Sequence, residues 1–122
     1  MKLEVAALAG ILLIALPAGA HDVDNGPHGG RVVEAGVNHI ELVVKTNSVD
    51  VFVTDAGDKP VSINGFKGVA ISTINGKAQR IVLEPKENIR LSGTSPIALP
   101  AQPVGVVQLT APDGKTAQGR FH

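Results

Sequence analysis

Four histidines carry most of the coordination chemistry open to this chain: His21, His28, His39 and His122. His28 lies in Gly26-Pro27-His28-Gly29-Gly30, where glycines let the backbone turn sharply and Pro27 stiffens the approach, so an imidazole can be presented at a fixed angle. His39 and Glu41 stand two apart in a strand-like run and share one face, opposite Ile40, Leu42 and Val44. If the strand after the glycine-rich stretch pairs with the one bearing His39, the two imidazoles approach each other, with His21, Asp22 or Asp24 in reach. The plain alternatives are a turn that happens to contain His28 and an exposed strand histidine at position 39. His122 ends the chain beside the terminal carboxylate and is not assigned a role.

His21 gains its interest from what precedes it. Residues 1–20 have the layout of a secretory signal: Lys2, an apolar run from Val5 to Leu16, Pro17, then the small-x-small Ala18-Gly19-Ala20. A bilayer span takes roughly 20 apolar residues, more than this run supplies, so an uncleaved anchor is the weaker reading and no stable membrane span is expected after processing. Cleavage after Ala20 would make His21 the first residue. Its free amine and imidazole together form a chelate suited to Cu(II), which tops the divalent affinity order. A solvated histidine in a frayed terminus is the alternative.

The donor set narrows the ion. The sequence has no cysteine and Met1 is its one methionine, so the processed protein carries no sulfur and soft Cu(I) capture is excluded. Imidazole, amine and carboxylate leave Cu(II), Zn(II), Ni(II) or Co(II). The candidate metal ligands are therefore His21, His28, His39 and Glu41.

Composition excludes other classes. Charges balance and no basic block appears, which argues against nucleic acid, whose affinity comes largely from neutralised phosphates. Phe52, Phe66 and Phe121 are the only aromatics, so the stacking platforms for sugars or bases are missing. That lack also weighs against an oxidative polysaccharide-cleaving enzyme built on an amino-terminal copper histidine. No Ser/His/Asp set or carboxylate pair stands out, and Asp55 and Asp58 read as turn formers. The expectation is a binding protein and not an enzyme.

The elements that must position these residues are short strands. Residues 21–30 form a polar arm rich in His, Gly and Asp, and residues 31–122 one domain. Within it, alternation and turn signals predict strands at 31–34, 38–45, 49–54, 69–74, 78–84, 88–91, 104–110 and 115–121, with a brief extended piece at 61–63. Asn75-Gly76 and Pro112-Asp113-Gly114 mark hairpins. Seven or eight strands without a helical period predict an all-β fold, a small antiparallel sandwich, with a small barrel as the other option.

The run from Gly26 to Glu34, followed by His39-Ile40-Glu41-Leu42-Val43, resembles a segment of periplasmic adaptor proteins of heavy-metal efflux pumps and of their small stand-alone relatives. Val51 to Asp55 and Gly57 to Val61 resemble the strand-and-turn signature of immunoglobulin-like periplasmic sandwich domains. The resemblance implies a periplasmic role in metal homeostasis or resistance, with His28 and His39 as ligands and an efflux component as partner. The chain is too short to be the adaptor itself and fits a carrier, buffer or accessory. The competing expectation is a structural or protein-interaction sandwich without metal.

Overall fold

Residues 25–122 are described by a computed structural model; residues 1–20, read above as a signal peptide, lie outside that range. Eight antiparallel strands make the fold: β1 (Arg31–Ala35), β2 (Asn38–Lys45), β3 (Ser48–Thr54), β4 (Lys67–Ile74), β5 (Lys77–Lys86), β6 (Arg90–Thr94), β7 (Gly105–Thr110) and β8 (Thr116–Phe121). The expected all-β, antiparallel architecture is what the chain adopts.

The strand order is β1-β2-β3-β6-β5-β4-β7-β8. Strands β4, β5 and β6 follow one another as hairpins, while β3 returns beside β6 and β7 beside β4, two overlapping Greek keys. The sheet folds over at β5. Its first part pairs with β4 as far as Leu83, and from Glu84 to Lys86 it pairs with β6. Two layers result, β1-β2-β3-β6 and β4-β7-β8, with β5 shared between them. The ends of the order, β1 and β8, pack against each other and nearly close the sheet into a barrel.

Strand alternation builds the core directly. Ile40 and Leu42 from β2, Val49, Val51 and Val53 from β3, Ile81 and Leu83 from β5, and Val107 and Leu109 from β7 all turn inward and are buried. Gly119 lets β8 approach the first layer, since a Cβ there would sit 2.6 Å from Ile40 Cδ1 and 2.9 Å from Val33 Cγ2. Arg31 fastens the β1–β8 seam. Its guanidinium donates to Pro103 O at 3.0 Å and to His122 O at 2.8 Å, and lies 5.3 Å from the Phe121 ring centroid. In this structure the role of His122 is thus to receive that bond through its backbone.

Several strand bounds differ from expectation, the largest shifts being the start of β4 at Lys67, the end of β5 at Lys86 and both ends of β6. The piece at 61–63 forms no strand: Pro60 makes an isolated bridge to Thr54, Val61 N donates to Val53 O, and Ile63 is fully buried. β5 runs on through Pro85, where the strand changes partner. β6 begins at Arg90 because Glu87 and Asn88, at φ 57° and 59°, form the hairpin turn.

Candidate functional site

The glycine-rich stretch and the His39-Ile40-Glu41 run form one unit, joined through Glu41. Asn25 bridges to Arg31, so residues 26–30 close into a tight loop. Gly26 N donates to Gly30 O at 2.9 Å and Gly29 N to Gly26 O at 3.0 Å, with Gly29 in the left-handed region at φ 80°. The loop lies over the outer face of β1, β2 and β3. There Val32, Glu41 and Phe52 stand side by side in register.

Glu41 points away from the core, as the strand pattern requires, yet it is 4 % exposed because the loop covers it. Its carboxylate accepts three hydrogen bonds. His28 N and Gly30 N both donate to Oε2 at 2.8 Å, and His28 Nδ1 lies 2.8 Å from Oε1. A buried carboxylate needs such compensation, and converging backbone N–H groups supply it as they do for bound anions. The flanking glycines are explained by the same contact. A Cβ on Gly26 would run into the Glu41 carboxyl group, and one on Gly30 into the Leu42 carbonyl oxygen.

The loop fixes the His28 ring in two ways. Its plane lies 6° from that of Phe52, with centroids 3.6 Å apart, and its Nδ1 is tied to Glu41. A carboxylate can only accept, so Nδ1 is the nitrogen that carries a proton, and in the neutral form of the ring the lone pair is left on Nε2. A carboxylate that holds one ring nitrogen so that the other is free to coordinate is the usual second partner of a metal-bound histidine. The ring is about half exposed.

His39 stands one row along the same face, between Glu34 of β1 and Thr54 of β3. Its Nδ1 lies 2.7 Å from Asp58 Oδ1 and its Nε2 3.9 Å from Glu34 Oε2. Asp58 is aimed by a stiff turn in which Asp55 Oδ1 accepts from Gly57 N at 2.8 Å and Lys59 N at 3.0 Å. Between the rows runs an open groove of about 660 Å³, lined among others by Pro27, His28, Phe52, Asp58, Pro60 and Ile89.

The expected ligands are thus brought to one face but not to one point. His28 and His39 bond to different carboxylates, and among the described residues no group of three or more His, Asp or Glu is placed to hold an ion. His21 lies outside the described residues. Both oxygens of Glu41 are occupied by the loop. Phe52 and Asp58 read from the sequence only as one of three aromatics and as a turn former, not as site residues. An aromatic at an outward strand position, in a chain with three aromatics, was the signal for Phe52. Nothing local marks Asp58, which is also a turn residue.

No family model matches the chain, and no curated protein or solved structure matches it.

Proposed function

We propose that this chain is an exported protein that binds one divalent transition-metal ion, Cu(II) first and Zn(II) next, in periplasmic metal homeostasis or resistance. The observation that carries the reading is the His28 ring, held by Glu41 and Phe52 with Nε2 left to coordinate. A single imidazole is a weak site, so further donors are needed. The proposal takes them from the residues before Asn25: His21, with its amine after cleavage behind Ala20, and Asp22 or Asp24. Glu41 acts on the ion through His28 and not as a direct ligand. His39, held between Asp58 and Glu34, is an auxiliary imidazole on the same face. A soluble carrier or accessory of a heavy-metal efflux system fits this arrangement, and the role is binding and not catalysis.

The apolar groove beside His28 favours a second reading, a protein-interaction sandwich in which Glu41 and His28 only lock the loop. Calorimetric titration of Cu(II) and Zn(II) into the chain starting at His21 separates the two. One-to-one binding that is lost in His28→Ala, and weakened by one extra residue before His21, supports the metal site. No binding of either ion leaves the interaction reading.

A further inference from the structure

The groove between the His28 and His39 rows is lined by acids alone, although the layer around it is of mixed charge. Among the described residues that line it, the charged side chains are Glu41 and Asp58. Lys45, Lys59, Lys86 and Arg90 of the same layer are not part of the lining, and the Arg90 guanidinium is held by Glu87 at 2.8 Å and Asp50 at 3.3 Å. Both Glu41 oxygens are bound by the loop, so Asp58 is the acid open to a ligand. Its Oδ1 meets His39 Nδ1 at 2.7 Å, and a carboxylate can accept more than that one bond.

His28, in its neutral form, adds a second acceptor at Nε2. The other walls are apolar: Pro27, Phe52, Pro60 and Ile89, the last 54 % exposed. At about 660 Å³ the groove falls within the roughly 300–1,000 Å³ of small-molecule sites, which share this pattern of apolar walls with a few placed polar groups.

We propose that the groove binds a small apolar amine in its ammonium form, with Asp58 and His28 Nε2 as acceptors and the apolar walls around its hydrocarbon body. An ammonium group carries three N–H donors and no acceptor, which matches this lining, and its bond to a carboxylate is charge-assisted. An anion of the same shape would meet Asp58 with like charge. A cation without a hydrocarbon body would leave the apolar walls in water. The inference goes beyond metal binding and does not depend on it.

Two-dimensional amide NMR of the chain starting at His21, with EDTA present and 2-phenylethylamine as the probe, tests this. Amine added to about 20 mM should shift the amides of residues 26–30, 58 and 89 along saturating curves, with a Kd of roughly 1 mM for a ligand of this size. Phenylacetate has the same ring and the opposite charge, and ethylamine the charge without the ring; each should bind at least ~10-fold more weakly. Asp58→Asn suits the left-handed backbone at φ 65° and should weaken the amine about 10-fold, and Ile89→Ser at its exposed position at least ~3-fold. Amide spectra otherwise like the parent's show that the variants are folded. Shifts that do not saturate, or that lie away from the groove, overturn the site. Phenylacetate binding as tightly as the amine, or parent-like amine binding by folded Asp58→Asn, overturns the amine as its ligand.

Discussion

Glu41→Gln is the substitution that separates an oriented ligand from a structural lock. The amide has nearly the shape of the carboxylate, so the loop should still close. Two backbone N–H groups meet at Oε2, so the amide must place its carbonyl oxygen there and its NH₂ group toward His28 Nδ1. A ring nitrogen facing a donor has to accept, and the proton of the neutral ring moves to Nε2. The bonds to Oε2 survive but lose their charge assistance, at about 1 kcal/mol each from the difference between charged and neutral acceptors. Loop closure should therefore weaken by about 2–3 kcal/mol while the sandwich, which does not use these bonds, keeps its stability. Ring ¹⁵N shifts read the tautomer directly and need no metal. They should show Nδ1–H in the parent chain and Nε2–H in the variant. Removing such an outer partner typically costs about 10–100-fold in metal affinity, and Cu(II) calorimetry should show a loss of that size. A variant that keeps Nδ1–H and binds Cu(II) as the parent does would refute the argument that Glu41 sets the coordinating nitrogen.

Phe52→Leu removes the ring under His28 but keeps an apolar side chain, and should release about 0.5–1.5 kcal/mol of loop ordering, seen as faster proteolysis at residues 26–30 with the global transition nearly unchanged. Arg31→Ala removes two hydrogen bonds and a ring contact from the β1–β8 seam; about 1–2 kcal/mol should be lost from the denaturant-derived stability, and an unchanged midpoint would count against the seam as a clasp. Gly119→Ala puts a methyl group against Ile40 and Val33, and should destabilise the whole domain by about 1–3 kcal/mol in chemical denaturation. His39→Ala removes a surface hydrogen bond to Asp58 and should change stability by less than about 1 kcal/mol; a larger loss would mean that Asp58 depends on it for its turn.

The fold was largely legible because alternation is a local signal with a non-local cause. Val49, Val51 and Val53 alternate with the outward Asp50, Phe52 and Thr54 because one side of β3 is core, and Ile40 and Leu42 alternate with His39 and Glu41 in β2 for the same reason. The errors fall where chemistry gives no local cue. Glu87 and Asn88 both take positive φ without a glycine, so the pattern alone places Asn88 in the strand at 88–91 although β6 starts only at Arg90. Pro85 read as a strand end, yet it sits where β5 exchanges β4 for β6, a place that does not need its missing N–H on both sides.

The site divides along the same line. The residue types in Gly26-Pro27-His28-Gly29-Gly30 and His39-Ile40-Glu41 were visible, and so was the pairing that brings the two segments together. What could not be read was which side chain makes the junction. On a strand, His39 and Glu41 look equivalent, outward and exposed, and coordination chemistry favours the histidine. The loop decides otherwise because its donors are backbone N–H groups, invisible in a one-letter code. Two of them converge on a position that only an acceptor can fill, and a neutral ring nitrogen could not accept both. Glu41 therefore takes the buried position beneath the loop and His39 is left to Asp58. The two glycines that read as freedom for a turn are instead the clearance for a carboxylate and a carbonyl, which is why alanine at either should open the loop without touching the histidine.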